Sequence, residues 1–236
     1  MLYGIEGERM TKKVLVVGNK PYSNFKLNKI ADSFDITYRC NFARPDHNNG
    51  TKFGRLAMCC HIYENFVRNP ASKKKMMEIY SDEFDTTFLN DWFDFYQLNK
   101  TRFEEIFYQQ PEASQWNKML DGYGCPHRFT KEPRTGYSAV FRALRDEPNN
   151  EVYVMSFSLA GDEYRKSRGV KEKTARAEGH GCHSMSDEIN ILSWLHNNKT
   201  VDASLCMLND TKELNIQADK YMKPSEFILD LIDKNI

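Results

Sequence analysis

The sequence contains no apolar run that approaches the roughly 20 residues of a membrane-spanning helix. Its 33 Lys and Arg residues balance its 33 Asp and Glu residues, so no basic field indicates a nucleic-acid partner. Its first residues lack the basic and apolar regions of a secretory signal peptide. Its six cysteines form no paired framework. We therefore expect free thiols in a reducing, cytoplasmic compartment, with peripheral attachment to a membrane left open.

Common nucleotide-binding motifs are also missing. No Gly-x-Gly-x-x-Gly follows the first predicted strand, and no Walker loop occurs in the chain. There is no Asp-x-Asp metal motif in a suitable loop either. These absences argue against a standard dinucleotide-binding enzyme or P-loop protein, and no metal or other cofactor is expected.

Short apolar segments alternate with polar loops along the chain. Residues 12–17 are a β-branched apolar run followed at once by Gly18 and Asn19, which indicates a buried parallel strand that ends in a tight loop. A second strand at residues 35–41 ends at Asn41, where another polar loop begins. Further predicted elements are a helix at 27–34, strands at 56–61, 151–156 and 201–208, and an amphipathic helix at 225–233.

This order of elements predicts an α/β fold, Rossmann-like, with a mostly parallel central sheet flanked by helices. We expect a single domain over 1–236, with a loose tail at 1–11. Residues 83–120 are rich in aromatic side chains at helical spacing, which predicts an insertion of two or three helices. Those rings either pack into the core or form a wall for a bulky acceptor.

Two later stretches have the composition of ligand sites. Residues 132–136 open a predicted helix with small residues and exposed backbone amides, which suits an anion. Residues 178–188 place His180 and His183 on a Gly-rich turn, and Ser184 is a good N-cap for the helix that follows. The turn is either a compact site for proton transfer or a surface loop with incidental histidines.

The segment between the last two sites is highly charged and has no clear apolar face. Residues 161–181 are interpreted as a mobile loop, either a lid over a negatively charged donor or a disordered insertion.

Three blocks of the chain resemble the sialyltransferases, both the eukaryotic family and the smaller bacterial one. They occur in the same order as in that family and cover roughly residues 12–61 and 132–208. Arg134 stands where the family usually has serine. The blocks are Val16–Asn19 with Arg39–Asn41, Pro133–Gly136 with Val152–Val154, and His183 with Glu188 in the pattern His-x-x-x-x-Glu.

This resemblance implies transfer of an acid sugar from a CMP-activated donor to a hydroxyl of a glycan acceptor, with inversion and without a metal. His183 would be the general base, His180 would stabilise the leaving phosphate, and Glu188 would orient the His183 turn. The implied donor-binding residues are Gly18, Asn19, Asn41, Arg134, Thr135, Gly136 and Tyr164.

Two other interpretations stay open at this point. A metal-dependent hydrolase would use His180, Cys182 and His183, with Cys125 and His127 as further candidate ligands, although that spacing is crowded for one tetrahedral centre. A catalytically silent nucleotide-binding module would keep the fold and have diverged at Arg134.

Overall fold

A single parallel sheet lies at the centre of the computed structural model, which describes residues 10–19, 27–68, 72–81, 85–108, 112–157, 183–207 and 222–235. Within these ranges the strands are Lys13–Val17 (β1), Ile36–Cys40 (β2), Arg55–Met58 (β3), Glu105–Tyr108 (β4) and Glu151–Met155 (β5). Their order is β4-β3-β2-β1-β5, and every neighbouring pair is parallel. The predicted α/β class is confirmed.

Helices connect the strands and cover the sheet. The α-helices are Asn28–Ala31 (α1), Cys60–Tyr63 (α2), Lys73–Tyr80 (α3), Thr86–Asn99 (α4), Ala113–Tyr123 (α5), Thr135–Asp146 (α6), Met185–Asn197 (α7) and Glu226–Asn235 (α8). Helix α2 continues as a π-helix over Glu64–Arg68, and 3₁₀ helices span Lys100–Arg102 and Ser204–Met207. None of the helices in the described ranges has the length and apolar character needed to cross a bilayer.

Strand β1, which lies between β2 and β5, is buried on both faces, as its continuous apolar sequence predicts. Successive side chains of a strand point to opposite faces of the sheet. Val14 and Val16 accordingly pack into one core cluster with α6, whereas Leu15 and Val17 pack into a second cluster with α1 and α8. Burial on both faces explains why the strand shows no alternation of polar and apolar residues.

The aromatic stretch forms a third core cluster at the β3–β4 end of the sheet. Trp92 and Tyr96 of α4 stack at 5.4 Å between ring centroids, and Phe42 meets Trp92 edge-on at 4.9 Å. All three rings are buried, so core packing is confirmed for Trp92 and Tyr96 of the predicted stretch. The predicted helices are present as α4 and α5, but strand β4 lies between them and was not predicted.

The predicted strand at 201–208 is wrong. The backbone of Asp202 pairs with β5 through two hydrogen bonds, and the pairing stops there. The carboxylate of Asp202 then accepts from the amide of Ser204 at 2.9 Å, which turns the chain into the 3₁₀ helix Ser204–Met207. The apolar residues between Val201 and Met207 are buried, but they lie in a turn and a 3₁₀ helix and not in a strand of the sheet.

Candidate functional site

Asn41 joins the carboxyl end of β2 to the first residue of α6. Its Nδ2 donates to Thr135 Oγ1 at 3.2 Å, and its Oδ1 accepts from the backbone amide of Cys59 at 2.7 Å. The backbone of Asn41 has a φ of 46°, a left-handed conformation that asparagine adopts more readily than most residues. Two predicted site residues, Asn41 and Thr135, are therefore in direct contact at the carboxyl edge of the sheet.

The ring of Phe157 lies against both Gly18 and Gly136. A Cβ added at Gly18 would lie 2.5 Å from the carbonyl oxygen of Ser156 and 2.8 Å from the Phe157 ring. A Cβ added at Gly136 would also lie 2.8 Å from that ring. Glycine is required at both positions because only a bare backbone can approach so closely. The end of β1 and the first turn of α6 thus meet around one aromatic side chain.

The N-terminus of α6 suits an anion. The amides of Thr135 and Gly136 have no acceptor within the helix, because the first amides of any helix lack an intrahelical partner. The N-cap residue Arg134 forms no side-chain capping hydrogen bond, and the first turn contains no acidic residue. The positive end of the helix dipole is therefore directed at the carboxyl edge of the sheet, beside Gly18 and Asn41.

The ring of His183 contacts a backbone carbonyl. Its Nδ1 lies 2.6 Å from the carbonyl oxygen of Glu132, three residues before Thr135. A carbonyl oxygen only accepts hydrogen bonds, so in this contact Nδ1 is the donor. In the neutral ring Nε2 then has the lone pair. The half-buried imidazole thus lies close to the α6 N-terminus, with Nδ1 engaged by the Glu132 carbonyl.

Glu188 and Arg134 form an ion pair beside this site, in which the carboxylate is buried and the guanidinium is partly exposed. The Glu188 side chain is 1% exposed, and its carboxylate accepts from the Arg134 guanidinium and, at 2.8 Å, from the Arg134 backbone amide. This contact ties α7 to the residue that precedes α6. Arg134 was predicted to bind the donor. In the structure its guanidinium is bonded to Glu188.

The helix that follows His183 begins as predicted. Ser184 is the N-cap of α7, and its hydroxyl accepts from the amide of Asp187 at 3.3 Å. The Asp187 carboxylate does not complete a capping box; it accepts from the amide and the hydroxyl of Thr130, at 2.8 and 2.6 Å. Burial disfavours its charge, but the hydrogen bonds from Thr130 and Ser184, together with the positive charge of Lys131, outweigh this and hold the pKa of Asp187 below its usual range. The start of α7 is thereby anchored to the segment that leads to Glu132.

A buried arginine shapes the loop that Asn41 opens. Arg39 is fully buried on β2, and its guanidinium donates to the carbonyl oxygens of Lys52 and Gly50 and to Asn49 Oδ1, each at 2.8 Å. Loss of hydration lowers the pKa of Arg39 to about 10. The loop after β2 is consequently folded around the Arg39 guanidinium, which strand β2 contributes.

Other predicted site residues are less well defined. Asn19 follows Gly18 directly, and its Oδ1 is buried without a hydrogen-bond partner among the described residues. His180, Tyr164 and the predicted lid at 161–181 lie outside the residues that the structure describes, as does most of the predicted tail at 1–11. The ligand and catalytic roles of the predicted site residues therefore remain predictions.

The described part of the chain contains no cluster of side chains that would support the metal-hydrolase interpretation. There, no group of three or more His, Cys, Asp or Glu side chains is arranged to hold a metal ion. Cys125 is buried, and burial raises the pKa of its thiol, which disfavours the thiolate that a metal requires. His180 and Cys182 lie outside the described residues, so a metal assay on the purified protein is the direct test.

No protein-family model matches the chain, and no curated protein matches it. Several solved structures are similar to the chain. A mammalian sialyltransferase is 16% identical with a TM-score of 0.46, over 81% of this chain and 68% of the other. An α-2,3-sialyltransferase from Campylobacter jejuni is 16% identical with a TM-score of 0.44, over 93% and 82%. Another C. jejuni sialyltransferase, in complex with cytidine-5'-monophosphate, is 14% identical with a TM-score of 0.43, over 98% and 100%.

Three contacts that build the site were not predicted from the sequence, although Glu132 itself belongs to the predicted stretch 132–136. Glu132 positions His183 through its backbone carbonyl, which any residue could supply, so its identity gives no signal. Phe157 fills the space between two glycines that are far apart in sequence. Thr130 holds Asp187 across 57 positions. Only the requirement for glycine at 18 and 136 could have indicated a close neighbour.

Proposed function

We propose that this protein is a sialyltransferase-like glycosyltransferase, which moves sialic acid or a related keto-acid sugar from a CMP-activated donor to a glycan hydroxyl. The observation that carries this proposal is the His183–Glu132 contact, because a hydrogen bond to Nδ1 leaves Nε2 to take a proton, as a general base requires, close to a helix end whose amides suit an anion. The motif resemblance supports the choice of donor and acceptor.

The proposed step is a direct displacement at the anomeric carbon. His183 Nε2 takes the proton of the acceptor hydroxyl while the acceptor oxygen forms a bond to that carbon. The bond between the carbon and the phosphate oxygen breaks, and CMP leaves with the electron pair. A single displacement inverts the configuration of the sugar. The modest charge of the leaving phosphate suits the amides of Thr135 and Gly136, without a divalent metal.

The Arg134–Glu188 pair bears on the alternative of a silent binding module. That alternative rests on Arg134 as a departure from the family pattern. Because Arg134 neutralises a buried carboxylate, its presence has a structural reason that is independent of any loss of activity. Hydrolysis of the CMP-activated donor distinguishes an enzyme from a binding module.

CMP is expected to raise the thermal unfolding midpoint more than UMP, GMP or AMP do, without added magnesium. A ligand that binds only the folded state stabilises it by mass action, so the ranking of the shifts reports the ranking of the affinities. The measurement is a thermal-shift panel in the presence of EDTA. Equal shifts for the four nucleotides, or a shift that requires a divalent ion, would contradict the proposed donor.

Replacing Asn41 by glycine is expected to weaken CMP binding by about tenfold, since two hydrogen bonds that hold the site together are lost. Glycine keeps the left-handed backbone without strain. Lys199→Gly is the matched control, because Lys199 also has a positive φ, of 58°, and lies outside the site. Titration calorimetry with CMP should separate the two variants; equal affinities would remove Asn41 from the donor site.

A further inference from the structure

A stacked pair of tyrosines lies at the carboxyl ends of β3 and β4. Tyr108 is the last residue of β4 and pairs in register with Met58, the last residue of β3. Tyr63 lies on α2, directly after β3, and its ring is 5.7 Å from that of Tyr108 with 29° between the ring planes. Both side chains are half-buried, so part of each meets solvent.

This pair is connected to the candidate site through one residue. The amide of Cys59 donates to Asn41 Oδ1 at 2.7 Å, and its carbonyl oxygen accepts from the amide of Tyr63 at 2.9 Å. Helix α2 then widens into the π-helix Glu64–Arg68, a local distortion that is frequent at functional sites. The tyrosines therefore lie on the same edge of the sheet as Asn41, on the side away from β1.

The two sides of Asn41 differ in chemistry. On the β1 side, Gly18 and the α6 amides offer backbone donors suited to a phosphate. On the β3–β4 side lies a half-buried pair of stacked tyrosine rings, which would suit a ligand with one apolar face and a polar rim. A sugar ring has that character, because its C–H groups form apolar faces and its hydroxyls surround them.

We propose that Tyr63 and Tyr108 form the surface on which a sugar ring of the acceptor packs. This inference rests on the proposed transfer function and adds the acceptor side to it. Burial and the nearby Cys60 and Glu64 raise the pKa of Tyr108, so its hydroxyl stays protonated at neutral pH. Asn41 then lies between acceptor and donor, where both must meet for transfer.

A second stacked pair in the molecule provides a matched control. Phe53 and Phe95 stack at 6.2 Å with 9° between their planes, and both are half-buried. Phe53 precedes β3 by two residues and so lies at its amino end, on the opposite edge of the sheet. A leucine substitution there removes a ring of the same kind from a position remote from the candidate site.

The test is retention of the labelled protein on a glycan array in the presence of saturating CMP. Wild type is expected to be retained by a defined set of glycans, and Phe95→Leu by the same set. Tyr108→Leu and Tyr63→Leu should each weaken retention by about 3- to 10-fold. The thermal shift with CMP should be unchanged in all four proteins, which also establishes that each is folded.

The possible failures are distinguishable. If the CMP shift is present but both tyrosine variants are retained like wild type, or if wild type is retained by no glycan, the acceptor surface is wrong and the donor site stands. If wild type shows no CMP shift, the proposed function fails and the acceptor surface fails with it.

Discussion

His183→Ala is expected to lower the rate of sugar transfer by about 10²–10⁴-fold, the usual contribution of a general base. CMP affinity should stay nearly unchanged, because His183 acts on the acceptor hydroxyl and not on the nucleotide. The physical reason is the 2.6 Å contact of Nδ1 with the Glu132 carbonyl, which leaves Nε2 as the proton acceptor. The measurement is CMP release with and without a glycan acceptor, alongside CMP affinity.

The variant His183→Asn tests the basic nitrogen of His183 independently of the hydrogen bond that holds its ring. The side-chain amide of asparagine can still donate to the Glu132 carbonyl, as Nδ1 does, but has no group that replaces the basic Nε2. We expect His183→Asn to be as inactive as His183→Ala while unfolding at a temperature closer to wild type. His127→Ala controls for removal of a partly buried histidine elsewhere. Transfer at the wild-type rate by either His183 variant would show that the base assignment is wrong.

His180 has a different expected effect, because its proposed role concerns the leaving phosphate. His180→Ala should lower donor hydrolysis and transfer together, whereas His183→Ala should act chiefly on transfer to the acceptor. A variant of His180 that lowers transfer but leaves hydrolysis unchanged would contradict this distinction.

Arg134→Met is expected to destabilise the protein by about 3 kcal/mol, the lower end of the cost of leaving a buried charge without its partner. The Glu188 carboxylate is 1% exposed and would keep only the backbone amide of residue 134 among its present contacts with that residue. For a chain of this size the midpoint should fall by about 6–12 °C. Thermal or urea unfolding of the purified variant measures the change.

Arg145→Met provides the control for this substitution. Arg145 contacts Asp146 at 2.8 Å, but its side chain is 50% exposed, and surface ion pairs contribute about 0–1 kcal/mol. If the two variants lose the same small amount of stability, the Arg134–Glu188 pair is not a buried charge that needs compensation. In that case the departure from the family pattern at Arg134 would require another explanation.

Several features of the fold were predictable because they depend on local chemistry. A continuous apolar run such as that of β1 indicates a strand buried on both faces. Ser184 was recognised as an N-cap because its hydroxyl satisfies an amide within the same turn. Asn41 was placed at the carboxyl edge of the sheet because it follows a parallel strand, and Thr135 was placed there because it opens a helix that covers the sheet.

The remaining features depend on contacts between distant parts of the chain. The aromatic residues of strand β4 are equally compatible with a continuation of helix α4. The 201–208 segment has the composition of a strand, but the side chain of Asp202 redirects it. The partner of His183 is a main-chain oxygen 51 positions away. No local pattern encodes such contacts, so the detailed geometry of the site could not be predicted.

The most direct test of the central claim is the release of CMP from CMP-activated sialic acid by the purified protein in EDTA. We predict release well above the rate in buffer alone, a further increase when a suitable glycan acceptor is added, and loss of that increase in His183→Ala. Release at the buffer rate, with and without glycans, would contradict the assignment of this protein as a transferase of CMP-activated sugars.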